Sequence, residues 1–224
     1  MENQDIFKSA GVLLDYIREN HLRAGDALPT ETMLVRDLQM SRVVVRESLV
    51  CLKALNLVSS RRGSGYKITS GNLAGALAAA LHGAARSGLT ELNELYELRR
   101  TLEIGAIADA VAHATDADKK EVVAALADME AIKVIENDED LALYNQTELR
   151  FHRALLRPAR CQALEIVNQA MEDFFKYRME LSSDPIRMNA EEVKRTNLAH
   201  RALADAFMLG EAHAAIILMN KHLH

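Results

Sequence analysis

Apolar positions recur at helical spacing along almost the whole chain, and one short stretch breaks the pattern. Residues 6–20 place Ile6, Val12, Leu13, Tyr16 and Ile17 at near-helical intervals, which predicts an amphipathic helix. Gly25-Asp26 marks a turn. Thr30 then stands as an N-cap, because its hydroxyl can accept an orphan backbone N–H, and Glu31 suits the positive end of the helix dipole. Leu34, Val35 and Leu38 supply the apolar face of that helix. Ser41 is the next N-cap, opening a helix with Val44, Val45, Leu49, Leu52 and Leu55 inward. From Leu57 to Ile68 the pattern changes, and two short extended runs flank Gly63-Ser64-Gly65, a hairpin signal.

Gly71 forms a natural boundary, which divides the chain into residues 1–71 and 72–224. Beyond it every apolar pattern is helical, with helices predicted near 73–86, 90–113, 116–136, 138–157, 159–182, 189–209 and 211–223. Thr90 and Asp116 are the expected N-caps, and Gly210 fits the position after a helix end. Pro158 should kink or restart the chain, and Ser182-Ser183-Asp184-Pro185 should break it. The expected fold is mainly α: an N-terminal winged helix-turn-helix followed by an antiparallel all-helical bundle.

Composition adds two constraints. Hydrophobic residues make up 49% of the 224 residues while aromatics are 4% and Trp is absent, a balance that favours packed helices over sheets. The net charge of −5 is unevenly spread: residues 1–70 carry ten Lys/Arg against eight Asp/Glu, and residues 71–224 carry seventeen against twenty-four. A mildly basic head on an acidic body can still bind phosphate locally. Cys51 and Cys161 form no paired motif and read as buried packing residues in a reducing compartment. No signal peptide is evident, and the most apolar stretch, Leu73 to Ala85, is too short to span a bilayer. A cytoplasmic protein with no membrane partner is expected.

The order helix, helix, turn, helix, hairpin is that of a winged helix, whose third helix enters the major groove of double-stranded DNA. Its leading residues here are Ser41, Arg42, Val43 and Arg46. Arg42 and Arg46 are four apart and share a helical face; either can hydrogen-bond guanine or grip a phosphate. Arg61 and Arg62 sit beside the glycine-rich tip, where a wing would meet the backbone or minor groove. The run Leu28-Pro29-Thr30-Glu31, then Ser41-Arg42-Val43-Val44-Val45-Arg46-Glu47-Ser48-Leu49, Leu57-Val58 and Arg62-Gly63-Ser64-Gly65-Tyr66 resembles the winged helix of the GntR family of repressors. The resemblance implies DNA contacts at Arg42, Arg46 and Gly63. Thr32 stands where many members have Arg, and Val44 where the family often has Pro.

In the second half, Leu95 to Glu103, Glu148-Leu149-Arg150-Phe151-His152, and Ala199-His200 with Gly210-Glu211 and His222 resemble the FCD effector domain of the FadR-type branch. The residues also speak for themselves. Glu148 and His152 are four apart and project from one helix face, an arrangement that can chelate a divalent cation. His200 and His222 lie on two later helices joined at Gly210, and antiparallel packing would bring them to the same point. Three imidazoles and one carboxylate suit Zn first, with Ni, Mn or Fe as alternatives, and leave positions open for a small carboxylic acid. Arg99 is the first choice for that effector's counter-charge. Glu148 stands where the family usually has Asp, and its extra methylene could carry its oxygen past the metal.

These patterns point to a homodimeric DNA-binding repressor whose operator affinity responds to an acid bound near a metal, and not to an enzyme. The rival readings are a helical metal-dependent hydrolase or isomerase, and a metal that only braces the bundle.

Overall fold

The computed structural model describes the backbone of residues 3–61, 65–180 and 187–223, with the backbone alone for residues 3–5, 92 and 177–180. It divides into two compact units, Met1–Ala80 and Leu81–His224. Arg62, Gly63 and Ser64, at the predicted wing tip, and the predicted break from Ser182 to Pro185 lie outside the described residues.

The first unit runs α1 (Asn3–Glu19), α2 (Glu31–Leu38), α3 (Arg42–Ala54), β1 (Val58–Arg61) and β2 (Gly65–Ile68). Both predicted caps form: the Thr30 hydroxyl accepts from the Met33 N–H and the Ser41 hydroxyl from the Val44 N–H, each at 3.3 Å. Between them Gln39 takes the left-handed conformation that ends α2. Leu13, Leu34, Val45, Leu49 and Leu52 are fully buried in one apolar cluster, joined by Ala10, Leu28 and Val58. Val12, expected inward, instead faces solvent at 45% exposure, because the turn of α1 that meets the core presents Ala10 and Leu13. The strands pair antiparallel from Val58↔Ile68 to Arg61↔Gly65. The hairpin is tied at its base, where the Leu28 N–H donates to the Tyr66 carbonyl at 2.9 Å.

α4 (Leu73–Arg86) runs through the division between the units. The second unit continues with α5 (Leu92–His113), α6 (Asp116–Ala131), α7 (Asp138–Leu156), α8 (Gln162–Glu180), α9 (Ala190–Leu209) and α10 (Ala212–His222). A single 3-10 turn at Arg157–Ala159 carries Pro158 and separates α7 from α8. Ile107, Val122, Met129, Phe151, Leu155, Leu203, Phe207 and Met219 anchor the core of these helices. A smaller cluster joins α8 to α5 through Leu95, Met171, Phe174 and Phe175.

Four details depart from the sequence reading. The cap of α6 is Thr115, not Asp116: its hydroxyl accepts from the Asp118 N–H while Asp118 accepts from the Thr115 N–H. The cap position of α5 is Glu91, not Thr90, which instead donates to Glu94. α6 stops at Ala131, five residues early, because Ile135 leaves the helix to exchange backbone hydrogen bonds with Met188 and is itself buried. Cys161 is exposed and Cys51 only half-buried, so neither is a sealed core thiol.

The two faces of α3 make opposite demands. Leu49→Ala is expected to lower unfolding free energy by about 2–5 kcal/mol in urea titrations. Val43→Ala on the other face should stay within about 0.5 kcal/mol of the parent. Similar losses from both would contradict this orientation of α3.

Candidate metal centre and nucleic-acid interface

In the first unit, Ser41, Arg42, Val43 and Arg46 all stand exposed on the leading turns of α3. Val43 is 62% exposed. The opposite face of the helix is sealed in the core, so the chain presents this face outward. The N-terminus of α3 adds unpaired backbone N–H groups and the positive end of its dipole, which suits phosphate. One contact was not anticipated: Arg46 Nε donates to Glu31 Oε2 at 2.7 Å, linking α3 to the first turn of α2. Such a solvent-facing pair adds little stability, but it gives the guanidinium a direction. Arg61 is exposed at the end of β1. Arg62 and Gly63, the remaining wing residues, lie outside the described residues.

In the second unit the structure brings Glu148, His152, His200 and His222 together. Each offers one donor atom, and these four atoms lie within 4.8 Å of one another. The carrying helices explain how. Glu148 and His152 share one face of α7, whose neighbouring Phe151 is fully buried and sets its ring edge-on to His200, 5.1 Å between centroids. Gly210 takes a φ of 76° at the end of α9, and the Gly210 and Glu211 N–H groups return to the Phe207 and Ala206 carbonyls. That turn sends α10 back beside α9, and the His200 and His222 rings meet at 4.1 Å. Arg100 clamps α10 to α5, donating to Asn220 Oδ1 at 2.6 and 3.1 Å.

The hydrogen bonds orient the rings. His200 Nδ1 lies 2.9 Å from the Thr196 carbonyl, which can only accept, so Nδ1 carries the hydrogen and Nε2 the lone pair. That Nε2 is buried and has no hydrogen-bond partner among the described residues. His152 Nε2 faces His222 Nε2 at 3.1 Å and Glu148 Oε1 at 3.6 Å. Burial, followed by the neighbouring imidazoles, holds His200 down at about 2; burial and then His152 hold His222 at about 4. Neutral, deprotonated rings are the form that binds a cation. Burial works against the charge on Glu148, but Arg99, His152 and His222 outweigh it and keep its carboxyl below the usual range. An orphaned nitrogen, converging lone pairs and one carboxylate fit a divalent cation. The extra methylene of Glu148 does not carry its oxygen out of the cluster.

Arg99, on α5, is nearly buried, donating through Nε to Glu103 Oε1 at 2.6 Å and through Nη2 to Glu148 Oε1 at 3.4 Å. Sequence reasoning passed over Glu103, which is 3% exposed and places its second oxygen 2.5 Å from His152 Nδ1. Its four-residue spacing from Arg99 was the available signal; its approach to α7 had none. Burial disfavours its charge, yet His152 and Arg99 together hold its carboxyl at about 2. A cavity of about 20 Å³ adjoins these residues, lined by Arg99, Glu103, His152, Arg153, Met171 and Glu172 among others. It has room for about one water molecule. Two other histidines have different surroundings: His82 stacks on Phe174, and His113 bonds to the Asp109 carbonyl on its own helix.

The family described as bacterial regulatory proteins, gntR family, matches residues 10–68, and the FCD domain family matches residues 94–224. The HTH-type transcriptional regulator LutR of Bacillus subtilis is 27% identical over 208 residues, covering 92% of each chain. The HTH-type transcriptional repressor NanR of an Enterobacter species is 24% identical over 214 residues, covering 93% of this chain and 78% of that one. Among solved structures, Streptococcus agalactiae GntR superposes with a TM-score of 0.67 at 23% identity, covering 97% of this chain and 96% of that one. This last likeness is one of fold.

Zinc added to chelator-treated protein is expected to raise the unfolding free energy, by about 2.7 kcal/mol at a hundredfold excess over Kd. The variant carrying both His152→Ala and His200→Ala should lose that gain in a thermal melt. A full zinc shift in the double variant would place metal binding elsewhere.

Proposed function

The chain belongs to the GntR family of bacterial regulators, in the branch that carries an FCD effector domain, and from that membership we propose that it is a homodimeric repressor released or engaged by a small carboxylic acid bound beside a divalent cation. DNA binding and transcriptional regulation follow from the family; its relatives are regulators rather than enzymes. Among the described residues no helix is long and apolar enough to cross a membrane.

Repression is supported by the NanR relative, which is named a repressor. At the DNA, Ser41 and the start of α3 take a phosphate, Arg42 and Arg46 reach base edges or backbone, and Val43 offers a methyl surface to a thymine. Arg61 would meet the DNA backbone or minor groove, together with Arg62 and Gly63, which lie outside the described residues. A dimer would set two such helices on a pseudo-palindromic operator, its half-sites about one helical turn or less apart.

One observation supports the metal part of this reading: His200 Nε2 is buried without a hydrogen-bond partner among the described residues, and His200 clusters with His152, His222 and Glu148. These four residues would hold the cation, with zinc ahead of nickel, manganese and iron for a donor set rich in imidazole. When bound, the cation supplies positive charge that draws a carboxylate. Arg99, which donates to Glu103 and Glu148, is the guanidinium that offers that carboxylate a counter-charge. The acid shifts operator affinity only through its unequal affinity for the two DNA-binding states, typically about 1–3 kcal/mol of coupling. A metal that merely braces the bundle is the second reading. It is favoured by the small size of the adjoining cavity.

Arg42→Ala and Arg46→Ala should each weaken operator binding by about 1–3 kcal/mol in titrated mobility shifts, and unchanged binding in both would refute the recognition face. A thermal-shift screen of small carboxylic acids separates the two metal readings. Sensing requires an acid whose stabilisation disappears with chelator, whereas bracing predicts a melting temperature lowered by chelator and the same acid response.

A further inference from the structure

We propose that Glu103 is the positioning residue of the metal centre: its carboxylate holds the His152 ring so that Nε2 presents a lone pair to the cation. The proposal rests on the metal reading above and concerns a side chain that is not itself among the four donors.

A carboxylate at 3% exposure is expensive unless every oxygen is matched. Both are matched, and by different helices. Oε1 accepts from Arg99 Nε on its own helix at 2.6 Å, and Oε2 faces His152 Nδ1 on α7 at 2.5 Å. A carboxylate only accepts, so Nδ1 must carry the hydrogen. In the neutral ring the lone pair then lies on Nε2, the atom that faces His222 and Glu148. The Thr196 carbonyl performs the same service for His200. Two of the three imidazoles are therefore held in one tautomer by acceptors behind them, a common arrangement around metal-ligating histidines.

Arg99 makes the arrangement directional. Its Nε–H needs an acceptor, which fixes what a glutamine at 103 would do. The amide oxygen would turn to Arg99 and the amide NH2 to His152. Nδ1 would then have to accept, the ring hydrogen would move to Nε2, and it would point into the donor cluster. Glu103→Gln nearly conserves size, yet it inverts the ring.

A merely structural ion pair would behave differently. It would hold α5 against α7, and its loss would lower the stability of the metal-free fold while leaving zinc affinity intact.

The test is chelator-competition titration with Zn2+ on full-length wild type, Glu103→Gln, Glu172→Gln and His200→Ala, together with two-bond ¹H–¹⁵N spectra of the histidine rings in metal-free protein. Wild-type His152 should appear as the Nδ1–H tautomer, a measurement that does not depend on any variant folding. Glu103→Gln should show Nε2–H and bind zinc about 10–100-fold more weakly. Glu172→Gln, which lines the same cavity but does not reach the rings, should match wild type. An Nε2–H tautomer in wild type overturns the proposal. So does a Glu103→Gln affinity within about threefold of wild type while His200→Ala loses zinc; in that case the metal reading survives and only Glu103's role falls. If wild type itself takes up no zinc, both readings fail together.

Discussion

Buried charge in the second unit is tolerable only as a set. Arg99 lies between Glu103 and Glu148, and Glu103 lies between Arg99 and His152. Removing one member leaves another buried and unmatched, at a cost of several kcal/mol. This interdependence ties α5 to α7 at the level where the imidazoles gather. It also explains how an otherwise apolar helical interior admits Arg99, Glu103, Glu148 and His152 beside the other two imidazoles. Phe151, fully buried and edge-on to both His152 and His200, keeps part of this surrounding apolar, which strengthens the electrostatic contacts there.

The first unit solves a different problem with the same element type. α3 must be anchored and exposed at once. Val45, Ser48, Leu49 and Leu52 give it a sealed face, and Arg42, Val43 and Arg46 give it an open one. The Ser41 cap defines where the open face begins, because it fixes the first turn and leaves the helix N-terminus outward. Glu31 contributes from α2 by holding Arg46. A capped, half-buried helix with a cationic leading turn is a rigid support for reading DNA, and side chains on rigid helices lose less freedom on binding than side chains on loops.

Where the sequence reading and the structure part, the reason is contact between segments distant in the chain. The helical period ran through Ile132 to Glu136, but the backbone of Ile135 found a partner in Met188, and burial of Ile132 and Ile135 outweighed helix propensity. Thr115 displaced Asp116 as the cap because a hydroxyl at that position completes a reciprocal box with Asp118. Val12 was apolar and in phase, yet α1 turns Ala10 and Leu13 to the core and leaves Val12 outside.

Local periodicity and capping chemistry in the sequence were enough to set the helices, the hairpin and the face of α3 that carries Arg42 and Arg46. They also set Glu148 beside His152, since residues four apart on one helix must share a side. These features depend on neighbours within one or two turns. The approach of His200 and His222 to that pair, the placing of Glu103 behind His152 and the reach of Arg99 to Glu148 depend on residues far apart in the chain, 49 positions for Arg99–Glu148 and Glu103–His152 and 70 for His152–His222. Only packing of the whole helical unit decides such meetings, because the energy that pays for them comes from the buried core and not from any one segment.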